Sequence, residues 1–262
     1  MSNHPTLNFI HGDCILEMAK IEENSIDVVI TSPPYNLNMD YSTYKDKIHF
    51  DDYLKWTNQW MSEVFRLLTP QGSFFLNVDG SPKNPWIPFD IANEARKLRF
   101  ILQNKIIWVK SIRVDEFTKG HAKPINSPRF LNVTNEFIFH FTKSGKVPLR
   151  RYDDGVGTPI SFLPNLKRWN TGRTNACNGN TWFIPYKTIK SREENKNHPA
   201  IFPVELPERC LRLIGDAAQK VLDPFGGIGT TALACKNLGR SCISIDLDLE
   251  YTEMAKERCE II

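Results

Sequence analysis

Residues 220–261 alternate short apolar runs with stretches of helical pattern: KVLD, then TTALACKNLG, then SCISID, then LEYTEMAKERCEI. Short strands joined through a helix-length segment pair in parallel, and a parallel sheet has to be covered on both faces. The same rhythm runs through the first half of the chain. LNFIH (7–11), SIDVVIT, SFFLNV, FILQNKIIWVK and NEFIFHFTK (135–143) read as strands. DCILEMAKI, residues 50–68 (FDDYLKWTNQWMSEVFRLL, with an acidic start and TPQG as its stop) and PFDIANEARKL read as helices between them, and a further helix is expected at 203–215. No internal repeat is present. The expected fold is therefore α/β, a doubly wound and mainly parallel sheet.

The rhythm breaks twice. Residues 38–50 read as a polar loop with aromatics. Residues 144–200 are rich in Asn, Gly, Pro, Lys and Arg, with isolated Trp169 and Trp182 expected to form a small core of that segment. An irregular stretch this long signals function or disorder. A chain of 262 residues has room for one large α/β domain carrying such an insertion at the sheet's edge. The net charge of +3 conceals an uneven distribution: residues 105–196 hold 17 Lys/Arg against 7 Asp/Glu, and the rest holds 16 against 23. A basic segment in an otherwise acidic protein suits a polyanionic partner, with a merely solvated basic face as the alternative on charge alone. None of the six cysteines (Cys14, Cys177, Cys210, Cys235, Cys242, Cys259) stands at C-x-x-C spacing, and no carboxylate cluster suggests a metal. Neither a zinc site nor a disulfide framework is expected, and a reducing cytosol fits. MSNHPTLNFI lacks the basic-then-apolar pattern of a signal, and no apolar run is long enough to span a bilayer, so no membrane partner is expected.

Two motifs carry chemistry. The strand SIDVVI empties into TSPPYNL (31–37), where Pro33 and Pro34 fix their own φ and restrict the residue before them. This makes a stiff corner that holds a hydroxyl, free carbonyls and an aromatic ring at a strand end. The second motif, VLDPFGGIGTTA (221–232), is a strand, a glycine turn and a helix. Gly226, Gly227 and Gly229 permit a tight turn and close approach to a ligand. The helix beyond them offers free N–H groups and the positive end of its dipole. Asp246 ends the next strand, where an acid commonly holds ribose hydroxyls; the plainer role is N-cap of the last helix. Asp13 ends the first strand and suits an adenine amino group, or again a plain N-cap. In open α/β sheets ligands gather beyond the carboxyl ends of strands, so Asp13, Ser32, Gly226 and Asp246 can share one edge.

Together these residues resemble the S-adenosylmethionine-dependent amino-methyltransferases of DNA, over most of the chain outside 144–195. TSPPY looks like the family's catalytic motif and DPFGGIGTT like its cofactor loop. HPAIFPVELPERCLRLI (198–214) is similar to the segment over the methionine part of the cofactor, and NKIIWVK and NEFIFHFTKSGK look like family strands. The catalytic motif precedes the cofactor loop, which resembles the circularly permuted beta class. The resemblance implies a seven-stranded, Rossmann-like methyltransferase sheet with an inserted target-recognition region. Its parts would be 1–143 (catalytic), 144–195 (target recognition) and 196–262 (cofactor-binding). It implies S-adenosyl-L-methionine as cofactor, no metal, and double-stranded DNA as partner in a bacterial or archaeal cytosol. It leaves open a homodimer and a separate restriction endonuclease. The catalytic residues it implies are Ser32, Pro33, Pro34 and Tyr35. The cofactor residues are Asp13, Cys14, Thr31, His198, Pro199, Phe202, Asp223, Pro224, Phe225, Gly226, Gly227, Gly229, Thr230, Thr231 and Asp246.

An exocyclic amine is a poor nucleophile because its lone pair is delocalised into the ring. Acceptors aimed at both N–H bonds help it become tetrahedral, and Ser32 Oγ with the Pro33 carbonyl is the natural pair. Tyr35 would stack on a base taken out of the duplex. Carbon-5 methylation is excluded, because it needs a cysteine nucleophile and no cysteine follows a proline or lies near the corner. In the family, Ser at the first motif position goes mainly with N4 of cytosine, and Asp or Asn mainly with N6 of adenine, so Ser32 favours cytosine. The alternatives are N6-adenine methylation, methylation of RNA or a small amine, and a silent nucleic-acid-binding module. His198 could pass for a catalytic base, but the amine proton can leave to solvent and no histidine is required, so His198 reads as part of the cofactor segment; His121 and His140 read as packing or surface residues.

Overall fold

The structure, a computed structural model, describes residues 5–36, 48–114, 117–120, 125–150, 179–186 and 202–260. Eight strands form the main sheet: β1 (Leu7–His11), β2 (Ile26–Thr31), β3 (Leu68–Val78), β4 (Ile101–Val109), β7 (Asn135–Thr142), β8 (Thr181–Phe183), β9 (Lys220–Asp223) and β10 (Ser241–Asp246). Their order is β1-β10-β9-β2-β3-β7-β4-β8. Every ladder is parallel except the two made by β7, which runs against β3 and β4. The mainly parallel sheet is thus the one expected.

Helices cover both faces. On one face lie α1 (Cys14–Met18), α2 (Phe50–Leu67) and α3 (Ile87–Lys97); on the other lie α4 (Glu205–Ile214), α5 (Thr230–Asn237) and α6 (Leu249–Glu260). The strand pleat divides the core accordingly. Val28, Ile30, Phe75, Ile138 and Val221 face α4–α6, while Val29, Phe74, Leu76, Phe139 and Leu222 face α1–α3. This alternation is why the strands read as continuous apolar runs. Among the described residues no helix is long and apolar enough to cross a membrane, and no cluster of three metal-ligating side chains occurs.

Two features depart from the sequence reading. A small antiparallel hairpin, β5 (Ser111–Val114) and β6 (Phe117–Gly120), follows β4. The segment 144–195 also reaches into the main sheet. β8 pairs in parallel with β4, setting Trp182 opposite Trp108. Trp182 is 1% exposed within the same apolar cluster as Ile106, Ile138 and Leu206, so it belongs to the principal core and not to a separate small one. Val147 is buried beside it, with its N–H and carbonyl both bound by the Gln103 side chain. Trp169 and His121 lie outside the described residues.

Candidate active site

β1, β2, β3, β4, β9 and β10 run in one direction, so all their carboxyl ends open on the same edge, and the antiparallel β7 begins there. At β9 the glycine turn folds back on β10. The Gly226 N–H donates to the Ile245 carbonyl (2.8 Å), and the Gly227 N–H donates to Asp246 Oδ2 (2.7 Å). A Cβ on Gly226 would fall 2.0 Å from Ser244 Oγ. Gly229 has φ +76°, and a Cβ there would meet the Ala255 Cβ at 2.8 Å. Only glycine combines that left-handed conformation with that approach.

Asp246 is not the cap of α6. Asp248 takes that role, accepting from the N–H groups of Glu250 (2.8 Å) and Tyr251 (3.2 Å). The Asp246 carboxylate instead accepts one backbone N–H on each oxygen, from Gly227 and from Asp248 (2.9 Å). Burial holds its pKa above the ordinary range, against the lowering effect of those two bonds. Each oxygen keeps lone pairs for further donors. Asp13 caps α1, accepting on Oδ1 from Ile15 (2.9 Å) and Leu16 (3.1 Å). The neighbouring Gly12 N–H reaches the Asp246 carbonyl at 2.9 Å.

A buried carboxylate joins this turn to the proline corner. Asp223, 1% exposed, accepts from Thr31 Oγ1 and Thr231 Oγ1 (2.6 Å each) and from the Phe225 N–H (3.1 Å). Burial pushes its pKa up to about 6, opposed by the three hydrogen bonds and reinforced by the charge of Asp246. Thr31 is the last residue of β2 and Thr231 the second of α5. Their hydroxyls therefore serve this junction, and the Thr230 hydroxyl accepts from Arg258 (3.0 Å).

Beyond Thr31 the corner is held from three sides. Pro33 is buried, and the Tyr53 hydroxyl of α2 donates to the Pro34 carbonyl (2.8 Å). Among the described residues no donor meets the Pro33 carbonyl. Asn36, at φ +59°, closes the corner by pairing its amide with both backbone groups of Ile48 (2.8 and 3.0 Å). Ser32 Oγ lies 2.7 Å from the Tyr35 hydroxyl. That hydroxyl reaches the Asn77 carbonyl (3.2 Å) and receives the Asn77 amide nitrogen (2.9 Å). Asn77 Nδ2 also donates to Glu136 (2.6 Å), which is paired with Lys110 (2.8 Å). Burial raises the Tyr35 phenol, with the Glu136 charge adding to the effect. Asp79, next to this cluster, is pushed up to about 7 by burial and then by Glu136.

The structure thus brings Asp13, Thr31, Ser32, Pro33, Pro34, Tyr35, Asp223, Phe225, the three glycines and Asp246 to one edge. Cys14 lies just behind, buried, its thiol raised to about 12 by burial and the charge of Asp13. Phe225 packs its ring on Trp56 (5.5 Å) and Trp60 (5.2 Å), and Pro224 is buried beside it. Phe202 packs on the core near α4, whereas His198 and Pro199 lie outside the described residues. Sequence reasoning missed Tyr53, Asn77, Asp79, Lys110 and Glu136. The available signal was a polar residue placed at the mouth of an apolar strand, as in SFFLNV and NEFIFHF.

The donor set fits an adenosyl ligand. A carboxylate with two adjacent accepting oxygens stands beside a turn bare of side chains, at the start of a helix with open N–H groups. Comparison with known proteins agrees. A family model described as DNA methylase matches residues 26–257. The type II methyltransferase M.HpaI of Haemophilus parainfluenzae is 31% identical over 257 residues, covering 96% of this chain and 73% of its own. Among solved structures, TTHA0409 of Thermus thermophilus, complexed with S-adenosyl-L-methionine, is 28% identical with a TM-score of 0.62, over 98% of this chain and 93% of that one. The cytosine-N4-specific PvuII DNA methyltransferase shares the fold, with a TM-score of 0.70 at 20% identity over 98% and 89% of the two chains.

Proposed function

This chain belongs to the DNA methylase family and is a DNA amino-methyltransferase, and from that premise we propose that its product is N4-methylcytosine, made on a base flipped out of double-stranded DNA. When bound, S-adenosyl-L-methionine supplies an electrophilic methyl group. Asp246 would hold its ribose hydroxyls, with Asp13, Phe225 and the glycine turn shaping the rest of the pocket.

The observation that carries this reading is the state of the corner. Ser32 Oγ and the Pro33 carbonyl are neighbouring acceptors on a backbone held by Asp223, Tyr53 and Asn36, and no donor competes for the carbonyl among the described residues. Each would take one hydrogen of the target amine, so that its nitrogen lone pair localises toward the methyl donor. The acceptors are in place before the base arrives, so little reorganisation is needed at the moment of transfer. The Tyr35 ring, held by its hydroxyl, would stack on the base. The serine at position 32 favours cytosine over adenine, through its resemblance to the N4-cytosine members of the family. Digestion of methylated DNA to nucleosides, with chromatographic separation of N4-methylcytosine, 5-methylcytosine and N6-methyladenine, tests the assignment; label in N6-methyladenine would replace the base and keep the mechanism.

In the same reading residues 105–196 carry most of the phosphate contact, and part of 144–195 reads the sequence. Affinity for DNA should then fall steeply with salt, and neutralising lysines and arginines there should flatten that slope. An unchanged slope would remove this assignment. Similarity to M.HpaI suggests a restriction-modification setting in a cytosol, with any endonuclease a separate chain.

A further inference from the structure

Resting on the role proposed for Ser32, we infer that Glu136 is a positioning residue for methyl transfer: through Asn77 and Tyr35 it fixes the direction of the hydrogen bonds that end at Ser32, so that Ser32 Oγ faces the target amine only as an acceptor.

The Ser32–Tyr35 contact of 2.7 Å can run either way when taken alone. Its neighbours decide it. Glu136 Oε1 is paired with Lys110 (2.8 Å), and both side chains are largely shielded, at 15% and 17% exposure. A carboxylate so paired can only accept, so the Asn77 amide has to turn its nitrogen toward Glu136 Oε2 (2.6 Å). The second hydrogen on that nitrogen goes to the Tyr35 oxygen (2.9 Å), with Ser32 Oγ a distant 3.5 Å away. Tyr35 has one hydrogen to give, and the Asn77 carbonyl stands ready for it at 3.2 Å. The Tyr35 oxygen is then left to accept from Ser32. The serine's own proton points into the protein and its lone pairs are free for the amine. In the reverse direction Tyr35 would occupy one of the two serine lone pairs, and the serine hydrogen would be left on the side of the amine hydrogens, so the acceptor would be weakened. The amide orientation also leaves Asn77 Oδ1 buried with no partner among the described residues. A free amide would turn to satisfy it, so the orientation is imposed from outside, and Glu136 imposes it. The topology explains the arrangement: Asn77 near the end of β3, Lys110 just past β4 and Glu136 at the start of β7 meet at one edge because β7 runs against both neighbours.

The test compares the full-length protein with Glu136→Gln in single-turnover methyl transfer to DNA. Glutamine keeps the size but can offer Asn77 either a donor or an acceptor. The rate should fall about 10- to 100-fold while the cofactor Kd and the KM for DNA stay within about twofold, the signature of a group felt only in the transition state. Tyr35→Phe keeps the ring, removes the acceptor of the serine proton, and should lose rate to a similar degree. The double variant should lose little more than either single one, because both break the same chain. A full rate in Glu136→Gln, or losses that multiply in the double variant, would overturn the inference. Should Glu136→Gln fail to fold, an unaltered rate in Tyr35→Phe would overturn it alone. Nucleoside analysis of the unaltered protein's product separates the two claims. N6-methyladenine there would remove the cytosine assignment, while the relay is still judged by the same rates, since an adenine amine needs the same acceptor.

Discussion

The glycine turn and the proline corner sit on neighbouring strands of one sheet edge, yet they are held in opposite ways. The turn is held locally. Its left-handed Gly229, its bond to Ile245 and the grip of Asp246 come from residues 223–248. The corner is held from a distance: Tyr53 of α2, Asn77 of β3 and Asp223 of β9 all bond to it, across 19 to 192 positions of sequence. A site that binds a constant ligand can be written into one stretch of chain. A site whose acceptors have to be aimed is fixed by several elements packed together, and it inherits the stability of the whole sheet.

Asp223 is where the two regions meet, and removing it should have the largest effect. Asp223→Ala leaves two hydroxyls and the Phe225 N–H facing a buried void. Hydrogen bonds to a charged group are worth about 1.5–3 kcal/mol each, so a loss of about 3 kcal/mol or more in unfolding free energy is expected. Both cofactor affinity and methyl transfer should fall together, and a variant with unchanged denaturant midpoint would show that the two regions are not coupled. Gly229→Ala should come next. It combines left-handed backbone strain with a 2.8 Å contact to Ala255, for a cost of about 1–3 kcal/mol by overpacking. Calorimetric binding of the cofactor should weaken more than thermal stability does, and the reverse order would contradict a local role for the turn.

A third prediction concerns Asp79 and pH. Burial and Glu136 raise its carboxyl from 3.8 to about 7 in the folded protein. Between those values the folded chain keeps a proton that the unfolded chain has released, so folding loses stability as pH rises through that window. Asp79→Asn removes the penalty. The difference in Tm between variant and parent should therefore grow in the variant's favour from about pH 4 to about pH 7.5 and level off above. A constant difference would mean that Asp79 titrates normally.

The two regions also differ in how far the sequence revealed them. VLDPFGGIGTT declares its geometry because glycine conformation and a strand-end aspartate are local properties. Asp246 was legible as a strand-end carboxylate beside that turn, while its rival role as a cap belongs to Asp248, two positions on. TSPPY declared a stiff corner but not what aims it. Asn77 and Glu136 are single polar residues in apolar strands, and nothing local says that β3 and β7 will bring them to Ser32. β8 escaped for a related reason: three residues, TWF, carry too short a period to read, and their strand identity comes from pairing with β4. The β5–β6 hairpin is made of two four-residue strands, SIRV and FTKG, whose alternation is too short to read.

The most direct test of this division of labour measures cofactor affinity by calorimetry and single-turnover methyl transfer side by side, in Ser32→Ala and Asp246→Ala. Ser32→Ala should bind the cofactor as the parent does and lose rate, by up to the roughly 10²–10³ seen for a missing oxyanion-hole donor elsewhere. Asp246→Ala should weaken cofactor binding by about 1.5–3 kcal/mol for each charge-assisted bond lost, with its rate largely restored at saturating cofactor. Full activity in Ser32→Ala, or unchanged affinity in Asp246→Ala, would contradict the account.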